Sequence, residues 1–156
     1  MNAADVLAAA RARGWRIAVA ESCTGGLLAG ALTEVPGSSD VFDRGFVTYS
    51  YPSKIAMLGV TQDALDRYGA VSEVVARQMA EGALAASEAD VTVAITGVAG
   101  PGGSEEKPEG LVHFACATRA ETVAVEKQFG ALGRSEVRAA TVAQALEMLR
   151  SAIEAG

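Results

Sequence analysis

The sequence predicts one α/β domain over residues 1–156, a three-layer α/β/α sandwich on a mixed, mostly parallel sheet with a C-terminal antiparallel hairpin. Three observations predict it. Short apolar runs at 15–20, 43–50 and 91–96 alternate with segments of helical periodicity, as in sheets covered on both faces. Two further strand-like runs within "LVHFACATRAETVAVEKQF" flank a tight turn near Arg119-Ala120 and close the hairpin. Half of the residues are hydrophobic but only 5% are aromatic, which points to close helix packing rather than a bulky core.

The elements follow in order. Residues 3–13 set Val6, Leu7 and Ala10 on one helical face, with Gly14 as the stop. "WRIAVA" (15–20) reads as a buried strand, "GLLAGALTEV" as a helix ended by Pro36-Gly37, and "DRGFVTYS" (43–50) as a second strand. "SKIAMLGV" and "TQDALDRYG" are short helical pieces, the second capped by Thr61 and closed by Gly69. Ser72 caps a long helix with Val75, Met79 and Ala83 along one side. "VTVAIT" (91–96) is the clearest buried strand, and a glycine-rich loop follows at 97–110. Ser135 is placed to cap a last helix in which Val142, Leu146, Leu149 and Ile153 keep helical spacing.

Composition narrows the function. A net charge of −6 and a pI near 4.8 argue against nucleic-acid or anionic-membrane partners, which want a basic face. No apolar stretch reaches the length of a membrane span, and the N-terminus does not read as a secretory signal. Cys23 and Cys116 are too few for a disulfide scaffold, so a cytoplasmic location is expected. One histidine and two distant cysteines leave no soft-metal cluster, so no metal site is expected.

The chemistry concentrates in "AESCTGGLLAG" (20–30). Ser22 follows a strand and precedes a helix, where exposed N–H groups and glycines suit a nucleophile beside an anion hole. The other reading is that Ser22 or Thr24 simply caps the helix. A nucleophilic serine needs a base. His113 lies mid-strand among core residues, which leaves a lysine whose pKa burial or neighbouring positive charge must lower. Lys54 in "TYSYPSK" is the candidate, with Tyr49 to relay a proton or orient it; alternatively Lys54 is an exposed helix-opening residue and Tyr49 is core. "TGVAGPGG" (96–103) matches neither a P-loop nor a G-x-G-x-x-G fingerprint, yet its backbone offers donors for a phosphate, hydroxyl or carboxamide. Lys107, Arg134 and Arg138 are possible charge partners.

Together, "AESCTGG", "GFVTYS" with Lys54 following, "GAVSE", "MAEGA", "TGVAGPGG", "KPEG" and "GRSEVR" resemble the CinA carboxy-terminal domain family, whose characterised members are nicotinamide-nucleotide amidohydrolases. The resemblance spans nearly the full chain. It implies hydrolysis of the carboxamide of nicotinamide mononucleotide to nicotinic acid mononucleotide and ammonia, without cofactor or metal. It puts the catalytic roles on Ser22, Tyr49 and Lys54, and backbone donors at Thr24, Gly25 and Gly26. It places the second loop at Thr96, Gly97, Gly100, Gly102 and Gly103, with a late arginine at Arg134. A small-molecule nucleotide is the implied partner, and self-association into a homo-oligomer is expected. The alternative is a non-catalytic nucleotide-sensing or partner-binding module linked to competence or DNA damage. Two departures stand out: "SYPSK" where relatives often carry "SN-x-x-K", and Glu109 in "KPEG" where an apolar residue is usual. Many relatives carry an additional N-terminal pyrophosphatase domain, for which this chain has no room; that second activity is expected to be absent.

Overall fold

The computed structural model describes residues 2–104 and 107–155; positions 105 and 106 of the glycine-rich segment lie outside the described residues. Strands β1 (Ile17–Glu21), β2 (Phe42–Val47), β3 (Val91–Gly97), β4 (Leu111–Thr118) and β5 (Thr122–Gln128) form one sheet in the order β2-β1-β3-β4-β5. β1 pairs in parallel with β2 and β3, while β3–β4 and β4–β5 are antiparallel. Only β4 therefore runs against the other four, and the expected mixed sheet with its terminal hairpin is present.

The two faces of the sheet differ in side-chain size. Helices α1 (Ala3–Arg13), α2 (Leu27–Thr33) and α6 (Arg134–Ala155) cover one face over Val19, Val93, Ile95 and Phe114. Helices α3 (Tyr51–Leu58), α4 (Gln62–Tyr68) and α5 (Glu73–Ala85) cover the other, where Ala20, Ala94, Ala115 and Ala117 meet Ala76, Ala80 and Ala83 of α5. The alanine face brings α5 close, and the branched and aromatic face supplies most of the apolar burial, about 1.5–3 kcal/mol per large side chain. Close approach recurs where α3 ends. A Cβ at Gly82 of α5 would lie 1.8 Å from the Leu58 carbonyl oxygen, so glycine lets α5 carry the helix that bears Lys54.

Local chemistry sets the element ends, and it shifts several of them from the sequence expectation. β2 stops at Val47 instead of residue 50, because Ser50 and Ser53 form a reciprocal capping box that starts α3 at Tyr51, with Pro52 in its first turn. α6 begins at Arg134, so Ser135 sits inside the first turn rather than capping it. The helix after β1 has neither Ser22 nor Thr24 as cap. Its N-cap is Gly26 at φ 106°, without a side-chain bond of its own. The expected caps of Thr61 and Ser72 are present.

Candidate active site

The carboxylate of Glu21, the last residue of β1 and fully buried, does the capping. It accepts the N–H groups of Gly26 at 3.3 Å, Leu28 at 3.0 Å and Ala29 at 2.9 Å. A carboxylate five residues before the N-cap thus satisfies the donors that a helix start leaves open. The consequence for Ser22 is direct. It is released from capping, and its hydroxyl faces the other way.

Across the sheet end, the capping box turns the chain from β2 into α3, and Lys54 in that helix runs back beneath the turn. Its Nζ donates to Ser22 Oγ at 3.0 Å and to the Thr48 carbonyl at 2.6 Å. The side chain is 1% exposed and has no ion-pair partner among the described residues. Burial pushes its pKa from 10.5 down to about 8. The lysine is therefore not the exposed helix-opening residue that it could have been. Cys23, next to Ser22, is held up at about 11 by its own burial, so its thiol is not a competing thiolate near neutral pH.

The nearby amides are partly spent. Of the donors expected around Thr24, Gly25 and Gly26, the Gly25 N–H already bonds the Ser22 carbonyl at 3.1 Å and the Gly26 N–H bonds Glu21. The N–H groups of Cys23 and Thr24 carry no bond to another described residue. Arg138 of α6 donates to the Thr24 carbonyl at 3.0 Å and so ties this turn to the helix layer.

A cleft of about 210 Å³ opens on this pair, bordered by Ser22, Cys23, Tyr49, Lys54, Thr96, Gly97 and Arg134. Tyr49 is exposed at the mouth, and its hydroxyl accepts from Arg134 at 2.8 Å rather than meeting Lys54. Arg134 also donates to the Gly100 carbonyl, and among the described residues it has no carboxylate partner. Thr96 gives its hydroxyl to the Ala70 carbonyl at 2.8 Å. Gly100, Gly102 and Gly103, along with Thr24, Gly25 and Gly26, do not border the cleft. Several second-loop glycines answer to close approach by the chain itself. A Cβ at Gly97 would lie 2.7 Å from Val112, one at Gly100 2.4 Å from Glu109, and one at Gly103 2.3 Å from the Lys107 carbonyl.

Sequence reasoning missed Glu21, Tyr51 and Ser104. Tyr51 borders the cleft and its hydroxyl accepts from the Ala70 N–H at 3.2 Å. The available signal for Glu21 was a charged residue closing an otherwise apolar buried strand. A larger groove, about 730 Å³, lies between the β4–β5 hairpin and the C-terminal half of α6, and no nucleophile and base meet there. Among the described residues, no three His, Cys, Asp or Glu side chains gather as a metal site. Nor is any helix long and apolar enough to cross a membrane.

An α/β/α domain with a polar cleft at the C-terminal ends of its parallel strands defines the class of protein. The chain belongs to the CinA C-terminal domain family, whose profile matches residues 2–153. It is 51% identical over 135 residues to the nicotinamide-nucleotide amidohydrolase PncC of Enterobacter agglomerans, covering 86% of this chain and 82% of that protein. To the PncC of Escherichia coli K12 it is 50% identical over 143 residues, covering 90% and 86%. Other relatives are longer: the chain spans about a third of a CinA-like protein of Syntrophobacter fumaroxidans, at 50% identity over 140 residues. Among solved structures, a competence/damage inducible protein from Agrobacterium tumefaciens superposes with a TM-score of 0.89 at 52% identity, over 96% of both chains. A CinA superfamily protein from Klebsiella pneumoniae gives a TM-score of 0.95 at 36% identity, over 99% of this chain and 96% of that one.

Proposed function

We propose that this protein is a nicotinamide-nucleotide amidohydrolase that uses Ser22 as nucleophile and Lys54 as general base and acid. The observation that carries the chemistry is a buried amine, without a carboxylate partner among the described residues, 3.0 Å from a serine oxygen. Holding such an amine costs the fold stability, and a module that only binds has no use for that cost. Two relatives at about 50% identity named nicotinamide-nucleotide amidohydrolase support that choice of substrate.

In the reactive form Lys54 is neutral, one N–H stays on the Thr48 carbonyl, and the Nζ lone pair receives the Ser22 proton. As that proton moves, Oγ attacks the carboxamide carbon and the carbonyl electrons pass to oxygen. Of the two amides without another partner, that of Cys23 borders the cleft and is the donor left to receive that oxyanion. The tetrahedral adduct collapses, the C–N bond breaks, and protonated Lys54 gives its proton to the departing nitrogen, which leaves as ammonia. Lys54 then takes a proton from water as the water attacks the ester, and returns it to Ser22 Oγ as the acid product departs. Tyr49, its hydroxyl polarised by the Arg134 guanidinium, hydrogen-bonds the leaving nitrogen while Lys54 supplies the single proton that nitrogen takes.

The cleft is smaller than the roughly 300–1,000 Å³ usual for a drug-sized ligand. The pyridinium ring and its carboxamide enter it, and the phosphate stays at the mouth on Arg134, a cation without an acidic partner among the described residues. Ammonia release measured over a panel of pyridine carboxamides, with and without ribose and phosphate, tests the reading. Turnover of the phosphorylated nucleotide above the others supports it. Tight binding of that nucleotide with no ammonia released would instead establish the sensing module.

A further inference from the structure

The carboxylate of Glu109 joins two segments of chain that the function needs in register. Its Oε1 accepts the Gly102 N–H at 2.7 Å, and its Oε2 accepts the Gly133 N–H at 3.0 Å. Gly102 lies in the second glycine loop, and Gly133 immediately precedes α6 and Arg134. The glycine at position 100 is the counterpart of this contact, since a Cβ there would overlap the Glu109 carboxylate. Arg134 spans the same gap from the cleft side, donating to the Gly100 carbonyl and the Tyr49 hydroxyl.

From this geometry we infer that Glu109 is a positioning residue: it clamps the second glycine loop to the start of α6 and thereby fixes the Arg134 guanidinium at the mouth of the cleft. Glu109 does not border the cleft, so it acts through Arg134 and not on substrate. The clamp also occupies the Gly102 amide, so that donor is not open to the phosphate. Charge-assisted bonds to two backbone amides from separate segments hold both glycines at once, which an apolar side chain at 109 cannot do. The inference rests on the amidohydrolase reading for its kinetic consequence, but its structural part stands apart from that reading.

The test compares wild type with Glu109→Gln and Glu109→Leu by two measurements. Amide hydrogen exchange of segments 97–104 and 130–134 is followed in the absence of substrate. Glutamine keeps one acceptor oxygen but turns an N–H₂ group toward the other amide, so exchange there is expected to speed up about tenfold in both variants. With nicotinamide mononucleotide, KM is expected to rise about tenfold while kcat stays within twofold. With the riboside, which lacks phosphate, KM is expected to be unchanged. Unchanged exchange, or a KM that rises equally for both substrates, overturns the clamp. If wild type hydrolyses neither amide, the amidohydrolase reading fails, and exchange alone still decides the clamp.

Discussion

Replacing Lys54 by methionine isolates what the buried amine costs the fold. Methionine keeps the length and apolar stem but removes the titrating group. The unfolded chain holds the Lys54 proton up to about pH 10.5, whereas the folded chain releases it near 8. Below pH 8 both states bind the proton and the penalty of burying the charge is fully present. Between 8 and 10.5 the unfolded chain binds more protons, so folding stability rises with pH; above 10.5 the penalty is gone. At roughly 1.4 kcal/mol per pH unit, that interval amounts to about 3 kcal/mol. The assay is urea denaturation of both proteins from pH 7 to 11, taking the difference in unfolding free energy at each pH so that titrations common to both cancel. Wild type is expected to gain about 3 kcal/mol on the methionine variant across the interval. A difference that stays flat would refute the claim that burial lowers the Lys54 pKa. The same titration governs rate. At pH 7 only about a tenth of the enzyme carries the neutral amine, so kcat/KM is expected to climb about tenfold per pH unit and level off above 8.

Two other substitutions probe the surroundings of the pair. Arg134→Gln should raise KM for the phosphorylated nucleotide more than it lowers kcat, since a phosphate contact is largely uniform binding; steady-state kinetics decide, and an unchanged KM places the phosphate elsewhere. Glu21→Gln leaves the start of α2 with an amide in place of a triple acceptor. It should cost about 2–4 kcal/mol by denaturation and lower kcat as the nucleophile turn loosens. A variant as stable and active as wild type would remove Glu21 from the account.

The fold was largely legible because its signals are local. Alternating apolar and helical periodicity, with Gly14, Thr61, Gly69 and Ser72 as punctuation, marks most element ends. The alanine-rich composition corresponds to the α5 face of the sheet, where small side chains meet. The candidate site was legible as separate residues and not as a geometry. Ser22 and Lys54 are 32 positions apart, and nothing local says that a lysine in a helix opened by Ser50 and Pro52 is buried; docking of α3 at the sheet end decides it. Tyr49 and Arg134 meet across 85 positions for the same reason. The capping of α2 escaped because capping rules look at the N-cap and the residues just after it, and Glu21 reaches in from five residues upstream.

Ser22 carries the reaction in this account, and its replacement by alanine is the most direct measurement. Ammonia release from nicotinamide mononucleotide should fall by at least about 10³, with binding of the nucleotide, read by calorimetry, still measurable. An alanine variant that releases ammonia at the wild-type rate would contradict it.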